Sequence, residues 1–362
     1  MTRLLQRLVE RIAASGPISV ADYMAHCLFD PEDGYYTSRE PFGPHGDFVT
    51  APEISQMFGE LVGVWLRLAW EAIGRPTPVT IAEIGPGRGT LMKDVARTLK
   101  KLDHGLFVGA DLALIEISPR LREIQRRTLA DIGKAVGWHE SVATLPPGPL
   151  MIVGNEIFDA VPVRQFVKTG GAWRERAIGV DEAGALRFVA GAGSLAPDLL
   201  PRGAADAAEG AIVEIAPARS ALMAAIAGLI AERGGCGLFI DYGYALPAVG
   251  DTFQALRRHR PQDVFDDPGQ ADLTSHVDFA ALAAEARTAG LDAHLMTQGD
   301  FLLGLGLVER AGQLGANADS RTRETIGQAV ERLAGPDAMG VLFKVLAIVP
   351  RGTVVAPFNP AD

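Results

Sequence analysis

Val79-Thr80-Ile81-Ala82-Glu83-Ile84-Gly85-Pro86-Gly87-Arg88-Gly89-Thr90-Leu91 is the stretch on which the fold turns. A short apolar run ends in an acidic residue, passes through glycines at alternate positions and enters a segment of helical period. Glycines suit such a loop because a side chain would block close approach of the backbone to a nucleoside ligand, while the helix start offers free N–H groups. Gly89 follows Gly87 by two residues rather than three, and Thr90 stands where the dinucleotide fingerprint has its third glycine. A pyrophosphate-binding helix start is therefore not specified. The spacing favours S-adenosylmethionine, which carries no phosphate, over NAD.

Downstream, Leu114-Ile115-Glu116-Ile117-Ser118-Pro119 ends the next apolar run in a second acid, where a carboxylate can accept from both ribose hydroxyls and would repel a 2′-phosphate. An isolated glycine turn between strand and helix would explain the glycines alone; strand, glycines, helix and second acid in register favour the cofactor loop. Further apolar runs at Leu150–Val153 and Gly237–Ile240 alternate with helix-period segments, the pattern of a parallel sheet flanked by helices. Residues 1 to about 75 read as a helical extension, with Leu4, Leu5, Leu8, Val9 and Ile12 at helical spacing and a Gly/Pro-rich interruption from Asp30 to Pro52. So long an interruption suggests a lid or binding loop. The expected division is 1–75 for the extension and lid, and 76–362 for the α/β domain, with insertions at about 164–205 and 242–275. The first insertion reads as an antiparallel meander broken at Gly170-Gly171 and Glu182-Ala183-Gly184. Helices are expected over Ala211–Ile230, Val277–Ala289, Phe301–Leu314 and Arg321–Leu333, and a closing strand over Val341–Val349.

Gly154-Asn155-Glu156-Ile157-Phe158-Asp159-Ala160-Val161-Pro162 sets two carboxylates and an amide just beyond a buried strand, at the sheet edge where α/β proteins bind ligands. Methyl transfer from a sulfonium mainly requires a positioned nucleophile and removal of its proton, so Glu156 and Asp159 are catalytic candidates with Asn155 beside them. A guanidinium acceptor could be held by such a carboxylate in a bidentate fork. The competing reading makes Asn155 a helix cap and the two acids solvated first-turn residues. His276 is a weaker candidate base, Asp241 a weaker pocket residue or turn cap, and Trp138 a stacking partner for adenine or a core residue.

Composition sets the outer limits. The chain has 362 residues, a net charge of -10, 48% hydrophobic and 22% charged residues, which suits a folded enzyme and disfavours nucleic acid as the main partner. The two cysteines, Cys27 and Cys236, read as buried thiols in a reducing compartment. No long apolar stretch predicts a transmembrane segment, and the start of the chain lacks a Ser-rich, acid-poor presequence, so a cytoplasmic, bacterial-type protein is expected.

Taken with the glycine loop and the Asn155–Asp159 loop, the segments Gly46-Asp47-Phe48-Val49-Thr50-Ala51-Pro52-Glu53-Ile54-Ser55-Gln56-Met57-Phe58-Gly59-Glu60 and Asp272-Leu273-Thr274-Ser275-His276-Val277-Asp278-Phe279 resemble the MidA-like family from about Pro17 to the final strand. The resemblance implies a class I methyltransferase fold of Rossmann-like type and S-adenosyl-L-methionine as cofactor. It also implies a protein arginine acceptor, a complex I subunit being symmetrically dimethylated by mitochondrial members. Asp47 to Glu53 would then cover the cofactor, with Thr50 and Glu53 in contact. The expected cofactor-binding set is Glu83, Gly85, Gly87, Gly89, Glu116, Thr50 and Asn155, and no metal is expected. Alternatives are a non-catalytic assembly factor retaining the fold, a small-molecule or nucleic-acid methyltransferase, and last an oxidoreductase.

Overall fold

The computed structural model describes residues 2–38, 50–201, 203–258 and 260–359. The chain falls into two compact units: unit 1 takes residues 1–48, 158–221 and 246–278, and unit 2 takes residues 49–157, 222–245 and 279–362. The Asp47–Val49 part of the expected lid lies outside the described residues, which resume at Thr50.

Unit 2 is built on seven strands: β1 Val79–Ile84, β2 Ala110–Ile115, β3 Val136–His139, β4 Leu150–Asn155, β5 Gly235–Tyr244, β6 Leu291–Thr297 and β7 Phe343–Pro350. Their order is β6-β7-β5-β4-β1-β2-β3. The five strands from β5 to β3 pair in parallel, while β7 runs antiparallel to both of its neighbours. Strands β1 and β4 are buried almost throughout because a parallel sheet is covered on both faces, which is why they read as mainly apolar runs without alternation. From β1 the chain winds one way through β2 and β3, and from β4 the other way through β5. That reversal falls between β1 and β4, and the carboxyl ends of strands at such a point are where sheets of this kind take ligands.

The helix Gln56–Ala72 turns Met57, Phe58, Leu61, Val62, Trp65, Leu66 and Ala69 inward, and the helix Thr90–Leu102 offers Leu91, Met92, Val95, Ala96 and Leu99 to the same core. The two helices approach closely at Gly59, where a Cβ would lie 2.6 Å from Cβ of Asp94. The stretch expected as one helix from Phe301 to Leu314 is two, Gln298–Gly304 and Leu307–Gly315, broken where Gly306 adopts φ 93°. Strand β6 is absent from the reading of the sequence. Its Leu-Asp-Ala-His-Leu-Met-Thr is an edge segment with half-buried residues, and it carries no clear alternation.

Unit 1 centres on an antiparallel sheet. Arg164–Thr169, Ala172–Val180 and Leu186–Ser194 form the expected meander, and Gly170 and Gly171 turn the first hairpin with φ of 59° and 76°. Both angles lie where a two-residue hairpin loop of the primed kind needs them. Ala211–Ile230 is not helical throughout: Ile212–Ile215 is a strand paired with Arg164–Thr169, and the helix runs from Pro217 to Arg233. The β-branched Ile212-Val213-Glu214-Ile215 fits a pleated surface, and Pro217 is suited to a helix start. The section read as loop after Asp241 contains a small sheet of Gln254–Arg257, Arg260–Gln262 and Asp272–Thr274. The first helix, Arg3–Ser15, buries Leu4, Leu8 and Ile12 and is capped by Thr2, whose hydroxyl accepts from Leu5 N at 3.1 Å.

Candidate functional site

At the end of β1, Gly85, Gly87 and Gly89 have φ of 66°, 50° and 83°, all in the left-handed region that other residues enter only with strain. At Gly85 space is also short, since a Cβ would lie 2.6 Å from Cγ2 of Ile157. Gly89 is the N-cap of Thr90–Leu102 and offers no side chain to its first-turn N–H groups, which leaves those donors uncapped. Behind the loop, the Glu83 carboxylate is 3% exposed and takes a hydrogen bond from the Met92 backbone. Its Oε2 has no partner among the described residues. Burial pushes the Glu83 carboxyl up to about 8.

The turn Ala51–Ile54 is fastened to the same loop: Thr90 Oγ1 donates to Glu53 Oε1 at 2.5 Å, and Arg88 lies 4.0 Å from Glu53 Oε2. Thr50 is the residue before that turn, half-buried, and its hydroxyl makes no capping bond there.

At the end of β2, Glu116 Oε1 accepts from Ser118 N at 2.7 Å and Oε2 from Gln125 Nε2 at 3.2 Å. Burial raises the Glu116 carboxyl, and these two donors pull it back. Gln125, fully buried on the helix Pro119–Thr128, also donates to Gly87 O at 2.8 Å and accepts from Trp138 Nε1 at 2.9 Å. The reading of the sequence passed over Gln125. A signal existed, because Leu121 and Gln125 are the buried positions of that helix at i, i+4 spacing, so an amide stands where an apolar residue would be expected. Trp138 lies in β3, half-buried, with the Arg126 guanidinium 5.1 Å from its ring centre.

At the end of β4, Asn155 Nδ2 donates to Glu156 Oε1 at 2.9 Å, and Ala51 N reaches the same oxygen at 3.4 Å. Asn155 Oδ1 is buried and lacks a partner among the described residues. Glu156 has φ 53°, unusual for a residue with a side chain, and its N–H donates to Ile240 O at 2.8 Å. No helix follows Asn155, so the reading of that residue as a helix cap with two first-turn acids does not hold. Asp241, at the end of β5, accepts from its neighbour Tyr242 N at 2.9 Å and is fully buried.

Asp159 and His276 belong to unit 1, where the buried Arg219 gathers their backbones. Its guanidinium donates to Asp159 O at 3.1 Å, His276 O at 2.8 Å, Val161 O at 3.0 Å and Ser275 Oγ at 2.6 Å. Unit 2 thus brings together Glu83, the three glycines, Glu116, Thr50, Asn155 and Glu156 on strand ends and the turn docked to them. Unit 1 brings together Asp159 and His276. No cluster of His, Cys, Asp and Glu fit to hold a metal occurs among the described residues.

Residues 61–297 match the model of the family described as "Putative S-adenosyl-L-methionine-dependent methyltransferase". The chain belongs to this family. Among its relatives, the mitochondrial protein arginine methyltransferase NDUFAF7 of Danio rerio is 34% identical over 96% of this chain and 86% of its own length. The Homo sapiens protein of the same name is 33% identical over 97% and 84%. A solved superfamily member from Burkholderia thailandensis, bound to S-adenosyl-homocysteine, is 30% identical with a TM-score of 0.85, covering 98% of this chain and 93% of that one. As a member of the S-adenosyl-L-methionine-dependent methyltransferase family, the chain is a methyltransferase of Rossmann-like fold, and its cofactor is S-adenosylmethionine. The oxidoreductase alternative falls.

Proposed function

We propose that this methyltransferase acts on an arginine side chain of a protein, a respiratory complex I subunit or a similar protein being the candidate substrate. The observation that carries the proposal is the identity of 33–34% along nearly the whole chain to relatives named protein arginine methyltransferases. The net charge of -10 suits a cationic acceptor better than a nucleic acid. Two buried free thiols, Cys27 and Cys236, suit a reducing compartment, the cytoplasm in a bacterial-type member.

The residues of unit 2 fit the cofactor in kind: an unpartnered buried oxygen on Glu83 and another on Asn155, and a loop of three positive-φ glycines that presents bare backbone. Glu83, Gly85, Gly87, Gly89, Glu116, Thr50 and Asn155 are the proposed cofactor-binding residues, with Glu116 accepting from the ribose hydroxyls. S-adenosylmethionine, when bound, supplies an electrophilic methyl group. For the acceptor, the Glu156 carboxylate would pair with the guanidinium, orient one nitrogen and take up the proton that nitrogen must lose. Asn155 holds that carboxylate in place through its Nδ2 donor. Asp159 and His276 are proposed as acceptor-side residues of unit 1.

The test supplies methyl-labelled S-adenosylmethionine to the purified chain with an arginine-containing complex I subunit, and reads the products by mass spectrometry. Label on an arginine nitrogen supports the proposal. Label on another side chain, or turnover on small molecules alone, overturns the arginine acceptor while leaving the methyltransferase assignment intact.

A further inference from the structure

We propose that Gln125 is the positioning residue of the cofactor pocket, a single buried carboxamide that locks the glycine loop to the ribose-binding acid. The inference rests on the proposed roles of Glu116 and the glycine loop. A carboxamide has two N–H donors and one carbonyl acceptor. Here all three are in use, each toward a different strand end. Trp138 Nε1 from β3 donates to Gln125 Oε1 at 2.9 Å. An indole N–H can only donate, so this bond fixes which end of the amide faces the pocket. Gln125 Nε2 therefore points the other way, toward Gly87 O after β1 at 2.8 Å and Glu116 Oε2 after β2 at 3.2 Å.

Packing reinforces the bonds. A Cβ built on Gly89 would lie 3.5–3.7 Å from Cγ, Cα and Cβ of Gln125, ordinary contact distance, so the side chain lies directly under the glycine loop. Gln125 is fully buried, and a buried polar group is retained at such a place only when its partners are in position. A purely apolar side chain of the same volume would fill the space but leave Gly87 O without this donor and Glu116 with only backbone donors, those of Ser118 and Ile117. Gln125 acts through Glu116 and Gly87 rather than on the reacting atoms.

The charges around Glu116 come from two elements. On the helix of Gln125, Arg122 Nε donates to the Glu116 backbone carbonyl at 2.7 Å, and its positive charge also favours the carboxylate. From the end of β3, His139 gives its backbone carbonyl to Arg122 at 3.3 Å, and Glu140 lies 3.9 Å from the same guanidinium. None of these reaches the side-chain oxygen that Gln125 serves. Loss of the Gln125 donor should therefore move the acid limit of cofactor binding to higher pH, a change that general loosening of the helix would not produce.

The test is calorimetric titration of the full chain with S-adenosylmethionine across pH 5–8, for the wild type, Gln125→Met, Glu116→Gln and the double variant, with Trp138→Phe as a milder probe that frees the amide without removing it. Gln125→Met is expected to weaken binding about tenfold, as loss of a hydrogen bond to a charged group does. It should also raise the pH at which affinity falls away. The two single losses should be less than additive in the double variant, because both act through one carboxylate. Trp138→Phe should give a smaller loss in the same direction. If Glu116→Gln binds as the wild type does, the cofactor role of Glu116 fails, and this inference with it. If Glu116→Gln weakens binding while folded Gln125→Met or Trp138→Phe leaves both affinity and pH limit unchanged, the pocket stands and the role of Gln125 is overturned.

Discussion

Two buried polar sites, one in each unit, are finished to different degrees. Around Arg219 in unit 1, the guanidinium meets three backbone carbonyls and the Ser275 hydroxyl, all within 2.6–3.1 Å. At the strand ends of unit 2, Glu83 Oε2 and Asn155 Oδ1 are buried with no partner among the described residues. A satisfied network rigidifies its surroundings, whereas an unsatisfied buried oxygen costs about 1–3 kcal/mol. Lack of a partner alone does not mark a site, since Trp65 Nε1, Gln298 Oε1 and both His294 ring nitrogens share it. What distinguishes Glu83 and Asn155 is their place at the carboxyl ends of neighbouring strands where the winding reverses. The comparison separates polar groups whose partners are all in place from polar groups that the proposed function assigns to a ligand.

The widest separation should come from Arg219→Met. It leaves carbonyls of unit 1 without their donor and is expected to lower the stability of the chain by about 3 kcal/mol or more in urea unfolding. A loss under about 1 kcal/mol would show that the hub is not structural. On the ligand side, Gly87→Val should weaken S-adenosylmethionine binding at least about a hundredfold, near 2.7 kcal/mol, with far-ultraviolet circular dichroism preserved. Wild-type affinity in that variant would remove the glycine loop from the pocket.

Glu83 sharpens the contrast, because its effects on stability and on binding should have opposite signs. Its folded carboxyl is raised to about 8 from an ordinary 4.5, so between these values the folded state holds a proton that the unfolded state releases. Stability therefore falls as pH rises through that window. Glu83→Gln should abolish this slope and stabilise the free protein by on the order of 2 kcal/mol at pH 8, while weakening cofactor binding. Unchanged denaturation profiles for both proteins between pH 5 and 8 would contradict the raised carboxyl. The smallest effect is expected at Glu156, whose φ of 53° is strained. Glu156→Gly should relieve the strain by roughly 1 kcal/mol or less and still depress methyl transfer. A clear loss of stability would mean that the bonds from Asn155 and Ala51 outweigh the strain.

The parts of this contrast differed in how far the sequence revealed them. Strands β1, β2, β4 and β5 were readable because each is buried along most of its length and carries a predominantly apolar run. The glycines and two acids at their ends stood out by spacing. β6 was missed because an edge strand half open to solvent carries no such run, and Ile212–Ile215 was absorbed into the helix that begins at Pro217. Arg219 and Gln125 were missed for another reason. Their partners lie 9 to 60 residues away in the chain, and a buried polar side chain announces itself only through those partners. Gln125 alone left a trace, as a polar residue on the inward stripe of an amphipathic helix.

The last strand of the sheet to be synthesised has a consequence for how the protein comes into being. β7, Phe343–Pro350, occupies an interior lane between β5 and β6 and runs against both. Until the ribosome has passed residue 350, the edge of β5 on that side is a bare row of donors and acceptors, and β6 has no neighbour to pair with. The nascent chain must therefore hold an open seam from the completion of β5 at Tyr244 until Pro350 is made, and it is the arrival of those eight residues that closes it.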